Sequence, residues 1–200
     1  MAFGFLASNY DGDHFGKLRW SRFSSQVNPT HEFYRNKGEK NEFSIYSKFT
    51  SKISPKLTGF LDLQIRNINY KVDGVLNGLV PINVSDNFAF FNPKAGMTYR
   101  VKDNTDLYLS FAKSHREPNR TDYENGNPLP EKLNNFELGL RKRNWSLNLY
   151  YMRYKDQLVL TGEIDEVGSP IRQNVGDSYR LGVEFESSFN ISNKISWNPN

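Results

Sequence analysis

The chain has 200 residues with 26 basic and 22 acidic side chains, a formal net charge of +4, and no cysteine, which excludes disulfide frameworks, thiolate metal sites and cysteine nucleophiles together. It is 37% hydrophobic and 14% aromatic, yet its mean hydropathy is −0.69, so no segment reads as a membrane-spanning helix. Apart from Lys17, Arg19 and Arg22 and the pair Lys142-Arg143, most basic residues are interleaved with acids, which argues against a nucleic-acid surface.

In chain order, Met1 leads into Ala2-Phe3-Gly4-Phe5-Leu6 without a basic leader, and Asn9, Asp11 and Asp13 follow at once. For an exported chain the start is therefore expected to be missing. From Glu42 to Ile53, Phe43, Ile45 and Phe49 alternate with polar residues. After Ser54-Pro55-Lys56, Leu57, Leu61, Leu63 and Ile65 alternate with Thr58, Asp62, Gln64 and Arg66. This two-residue period predicts a hairpin with one apolar face. Leu57, Phe60, Leu61, Ile65 and Ile68 also fit helical spacing, but Pro55 and Gly59 make a poor helix start. A second hairpin pairs Ala95, Met97, Tyr99 and Val101 with Leu107, Leu109 and Phe111 around Lys102-Asp103-Asn104. A third pairs Phe136, Leu138 and Leu140 with Trp145, Leu147, Leu149 and Tyr151 around Lys142-Arg143-Asn144. A fourth begins with Leu181, Val183, Phe185 and Phe189 and is expected to turn at Ser192-Asn193-Lys194, with its last strand cut off at Asn200.

Short turns therefore alternate with long connections, at about Ser24 to Asn41, Lys71 to Phe91, Lys113 to Pro130 and Asp156 to Asp177. That asymmetry predicts an all-β, antiparallel, up-and-down transmembrane β-barrel with short periplasmic turns and long extracellular loops. A soluble sandwich also alternates, but its strands average about five to six residues, whereas these runs approach the roughly ten needed to cross a bilayer at a tilt. Tyr70, Trp145, Tyr154 and Tyr179 stand at run ends, as aromatic girdles would. The polar faces carry Asp62, Arg66, Lys94, Arg100, Glu137, Arg141, Arg180 and Glu184, which are expected to pair across neighbouring strands.

Asn92-Pro93-Lys94-Ala95-Gly96-Met97-Thr98-Tyr99, the turn at Asp103-Asn104, Leu107 through Ala112 and Arg116-Glu117-Pro118-Asn119 resemble the barrels of TonB-dependent outer-membrane receptors. Pro130 through Gly139 and Asn174-Val175-Gly176 through Gly182-Val183-Glu184 continue the likeness in the same order, and Tyr34 to Gly74 is similar to receptors of the Bacteroidetes type. The resemblance implies a bacterial outer-membrane protein that imports a scarce nutrient, above all an iron–siderophore complex. It also implies a barrel of roughly twenty-two strands, a plug domain and an energy-supplying TonB complex as partners beside outer-membrane lipid. About eight strands fit in this chain, so residues 1–200 are expected to be part of one barrel, with plug, signal peptide and final strands absent. Two unpaired sheet edges would then be exposed.

Within the loops, Lys113, His115, Arg116 and Arg120 with Tyr123 make the densest basic–aromatic cluster, suited to an anionic ferric chelate or phosphate. A barrel-rim or plug-contacting role for Arg116-Glu117-Pro118-Asn119 weighs more heavily than ligand contact. His31 with Tyr34 is a second candidate contact for haem or iron, although a lone loop histidine is more often solvated. The three histidines, His14, His31 and His115, lack metal-ligand spacing, and the acids Asp156, Glu163, Asp165, Glu166 and Asp177 lack the pattern of a calcium loop. No cofactor is expected. No nucleophile elbow, HExxH or phosphate-cradling loop is present, and Gly74 to Gly78 lacks the following lysine, so no enzyme is expected. The alternative functions are a passive porin-like or structural barrel, or a receptor for haem, cobalamin or oligosaccharide. A soluble all-β module fits less well, because the apolar rows lack a layer to bury them.

Overall fold

The computed structural model describes residues 1–20, 22, 28, 31–164, 168, 170–192 and 195–199. Eight strands form one antiparallel meander in which each pairs with its neighbours in sequence. They are β1 (Ala2–Lys17), β2 (Glu32–Ser54), β3 (Leu57–Val75), β4 (Pro81–Lys102), β5 (Thr105–Arg116), β6 (Glu131–Lys142), β7 (Trp145–Ile164) and β8 (Pro170–Ser187). A small hairpin, β9 (Phe189–Ser192) and β10 (Ile195–Trp197), forms a separate sheet. Among the described residues the large sheet is open, since β1 and β8 are its two ends.

The strand count matches the expectation, but the set differs. β1 pairs with β2 from Ala2↔Lys48 to Lys17↔Glu32, and the expected partner of the last strand is instead the short β9–β10 hairpin. Asn193 and Lys194 of the expected last turn lie outside the described residues, as do Ser24, Asp165 and Glu166.

Three tight turns close on one side. At the first, Ser54 Oγ accepts from the backbone N–H of Lys56 and Leu57 at 3.3 and 3.1 Å. At the second, Asn104 takes a left-handed φ of 59°, a conformation that asparagine tolerates better than most residues. At the third, β6 hands over to β7 through Arg143 and Asn144.

On the other side, two of the expected loops are mostly strand. Lys71 to Phe91 is a hairpin tip of residues 76–80 between β3 and β4, tightened by one 3-10 turn, Asn77–Leu79. Gly74, at φ 129°, leaves no room for a Cβ against the Arg35 carbonyl of β2. Asp156 to Asp177 likewise belongs mainly to β7 and β8.

The register resolves the two faces. Phe43, Ile45 and Phe49 of β2 align with Asn67, Ile65 and Leu61 of β3, and Ile65 and Leu61 align with Phe91 and Ala95 of β4. The band continues through Met97, Leu109, Leu138, Leu149 and Val183 across β4 to β8. These large side chains are exposed, as a lipid-facing surface requires. On β2 the band runs from Phe43 to Ile53, about 33 Å along the strand, or roughly 25 Å at a tilt of about 40°. The 23 residues of β2 therefore extend well beyond the hydrocarbon.

Beyond the band the pattern inverts. On β3, outward Leu61, Leu63 and Ile65 give way to Ile68, Tyr70 and Val72 on the opposite face, where Ile68 and Val72 are buried. On β4, Ile82 and Phe90 are buried on that inner face before Phe91 and Met97 resume the outer one. The mixed spacing of residues 57–68 reflects this switch of phase, together with Phe60, whose inward ring fills the space a Cβ on Gly96 would need.

Two of the inner charges pair across neighbouring strands as expected, Arg66 with Glu42 and Arg100 with Asp106, each at 2.9 Å, whereas Lys94, Arg141 and Arg180 lie over the rings of Phe60, Tyr108 and Tyr154. An aromatic face attracts a cation without demanding that both partners be desolvated as ions. The expected girdle is also corrected. Trp145 and Tyr179 align with the outward residues of β7 and β8, whereas Tyr70 and Tyr154 fall on the inner face, where Tyr70 stacks on Tyr123.

Candidate functional site

The candidate site lies on the inner face of the wall, above the band. β3, β4 and the tip between them supply an apolar floor of Val72, Ile82 and Leu76, and the β5–β6 connection, residues 117–130, lies on it. Within this strap, Arg120–Asn125 forms a 3-10 turn whose capping box is complete. Asn119 Oδ1 accepts from the Asp122 backbone N–H at 3.2 Å, and Asp122 Oδ2 accepts from the Asn119 N–H at 2.8 Å. Tyr123 inserts among Val72, Leu76 and Ile82, stacks on Tyr70 at 5.9 Å, and donates its hydroxyl hydrogen bond to Asp86.

A charged cluster fixes the start of the strap. Glu117 Oε1 accepts from Lys40 Nζ at 2.6 Å, and its two oxygens face the Arg66 guanidinium at 3.3 Å each. Arg66 Nε also donates to Glu42 at 2.9 Å. A planar guanidinium can serve two carboxylates at once in this manner. Burial would raise the Glu117 carboxyl, but Lys40 and Arg66 outweigh it and hold the carboxyl below its ordinary value. Burial pushes the Tyr70 phenol up to about 12, and burial with the hydrogen bond to Asp86 pushes Tyr123 up further. Both rings are neutral packing groups at physiological pH.

His115 lies flat on Phe90 with centroids 5.0 Å apart, and its Nδ1 is 2.8 Å from Asn92 Oδ1. Asn92 Nδ2 in turn donates to Gln64 at 3.1 Å.

The expected ligand-contacting residues fall into two groups. His115, Arg116, Arg120 and Tyr123 come together on the end of β5 and the strap. Arg116 Nε donates to Glu131 at 2.6 Å, and Arg120 stands half-exposed at the start of the 3-10 turn. Tyr123 is only 6% exposed. His31 and Tyr34 sit elsewhere, at the start of β2. The His31 ring meets Phe33 edge-on at 5.0 Å, and the Tyr34 ring occupies the space beside Gly16 of β1. No group of three or more potential metal ligands occurs among the described residues.

Lys40, Glu42, Arg66, Glu117 and Asp86 were not singled out together by sequence reasoning. Lys40, Glu42 and Arg66 stand on the polar phase of β2 and β3, but the contacts of Lys40 and Arg66 with Glu117 span up to 77 residues and have no local signature.

The family model described as TonB dependent receptor-like, beta-barrel, matches residues 2–199. No curated protein matches the sequence. Among solved structures, the copper transporter OprC superposes with a TM-score of 0.74 at 15% identity, covering 99% of this chain and 35% of that one. The ferric yersiniabactin uptake receptor FyuA from Yersinia pestis gives 0.63 at 18% identity over 98% of this chain and 30% of the other. The ferripyoverdine receptor of the Pseudomonas aeruginosa outer membrane gives 0.61 at 15% identity over 95% and 27%. The chain thus spans about a third of the length of the structures it resembles.

Proposed function

Because the chain belongs to the TonB-dependent receptor β-barrel family of the bacterial outer membrane, whose members are receptors and transporters rather than enzymes, we propose that it forms eight adjacent strands of a receptor barrel for TonB-energised uptake of a ferric siderophore. The observation that carries this reading is the strap. It folds onto the inner face of the wall and is pinned by Glu117 and Tyr123, so it narrows a polar passage in the manner of a selective importer more than of an open pore. Solved neighbours described as an alcaligin receptor, a ferric yersiniabactin uptake receptor and a ferripyoverdine receptor support the substrate class.

In this reading Arg116, Arg120 and His115 contact the anionic chelate near the strap, His31 and Tyr34 contact it at the rim, and Tyr123 holds the strap in place. A guanidinium suits the oxygen-rich surface of such a chelate. A plug domain and the TonB complex are the implied partners, supplied outside these residues.

The test is uptake of radiolabelled ferric siderophores by cells producing the full-length receptor, with and without a protonophore. Saturable uptake abolished by the protonophore supports the reading. Uptake insensitive to the protonophore would move the protein to the passive class, and energised uptake of copper but of no ferric chelate would change the substrate.

A further inference from the structure

On the outward face, just beyond the apolar band, one residue type repeats across four strands. Asn9 of β1 aligns with Asn41 of β2, Asn41 with Asn69 of β3, and Asn69 with Asn87 of β4. All four side chains are exposed. They share the face of Phe43, Ile45 and Ile65, and Asn41 lies two residues past Phe43, about 7 Å further along the strand. The row is therefore continuous with the lipid-facing band and stands where headgroups begin. Strands ordinarily disfavour asparagine, yet it recurs here four times in register.

We propose that this row binds the sugar headgroups of outer-leaflet glycolipid. Each amide offers two donors and an acceptor oxygen, the complement of a sugar hydroxyl. Asn9 Nδ2 donates to Asn41 Oδ1, while the Asn69 and Asn87 amides make no hydrogen bond among the described residues. Four strands set the row about 14 Å long, enough to face more than one sugar ring.

The charges beside it select hydroxyl over phosphate. In the next two outward rows Asp11, Glu39, Asp13 and Asp73 outnumber Lys71 and Lys37, and Lys37 already pairs with Asp11 at 3.0 Å and Glu39 at 2.9 Å. An anionic phosphate would meet more acid than base there, whereas a neutral hydroxyl meets no such opposition. The inference rests on the outer-membrane placement and not on the import reading.

The test uses the full-length receptor in phosphatidylcholine vesicles carrying either lipopolysaccharide or phosphatidylglycerol, with the lipid retained per receptor measured after detergent washing. Asn41→Ala/Asn69→Ala/Asn87→Ala should lose at least threefold of the retained lipopolysaccharide, phosphatidylglycerol retention should be unchanged, and the matching Asn→Gln set should keep the glycolipid. If the triple variant does not fold, the single changes Asn69→Ala and Asn87→Ala carry the same comparison. Unchanged lipopolysaccharide retention in folded alanine variants would overturn the proposal, as would equal loss in the alanine and glutamine sets or an equal loss of phosphatidylglycerol.

Discussion

Replacing Leu109 by arginine sets a charge in the middle of the apolar band. Leu109 is 57% exposed, lies between Leu107 and Phe111 on the outer face of β5, and is flanked by Met97 of β4 and Leu138 of β6. An arginine at bilayer mid-depth costs about 2–4 kcal/mol, a shift of roughly 30- to 1000-fold in the folding equilibrium. The adjacent Ser110 faces the other way, opposite Gly96 and Glu137, so Ser110→Arg would place its guanidinium on the polar side within reach of a carboxylate and should change stability by less than about 1 kcal/mol. Denaturant titration of the full-length receptor refolded in phosphatidylcholine vesicles, followed by heat-modifiable gel mobility, reads both variants. Equal sensitivity at positions 109 and 110 would refute the assignment of faces.

Glu117→Gln should free the strap. The charged hydrogen bonds lost are worth about 1.5 kcal/mol or more, so limited trypsin cleavage at Arg120 should accelerate roughly tenfold; an unchanged rate would show that the ion cluster does not hold it. Because the Glu117 carboxyl is lowered in the folded state, its contribution is complete above the ordinary carboxylate range and is lost as pH falls through the lowered value. Pepsin cleavage of the strap should therefore rise with acidification in the parent beyond its rise in the glutamine variant, and parallel profiles would contradict this. Tyr123→Phe removes the donor to Asp86 and should cost about 1–3 kcal/mol, seen as the same increase in strap cleavage. Gly139→Ala drives a Cβ into the Tyr108 ring and should destabilise the barrel by about 1–3 kcal/mol, with most of the loss restored by Tyr108→Ser; a neutral Gly139→Ala would mean that the ring moves freely.

Legibility followed the solvent around each strand. Where lipid lies on one face and a polar interior on the other, as at Leu107 to Phe111 and Trp145 to Tyr151, the two-residue alternation is clean and the hairpins were readable with their turns. Beyond the band, water meets the outer face and the apolar residues move inside. Val72, Ile82 and Val84 then alternate in the opposite phase, and the segment from Lys71 to Phe91 looks like a loop. β1 was hidden for a related reason. Phe3 and Phe5 keep the alternation, but Asn9, Asp11, Gly12 and Asp13 are ordinary turn residues that here line a strand, with Gly12 giving room to the Tyr10 ring. The candidate site was legible as a dense basic–aromatic run from Lys113 to Tyr123, but the partners that order it, Lys40, Arg66 and Asp86, come from strands distant in sequence.

The phase switch on β4 is the central structural claim; these 200 residues contain no cysteine, so a nitroxide scan of positions 82–101 can be run in the full-length receptor once any cysteine outside them is replaced by serine. Oxygen accessibility, measured against a polar nickel reagent in lipid vesicles, should peak at 91, 95, 97, 99 and 101 and be low at 92, 94, 96 and 98. Below 90 the outward positions 83, 85 and 87 should favour nickel. A scan without a two-residue period, or with oxygen maxima on the even positions from 92 to 98, would contradict a lipid-facing barrel wall.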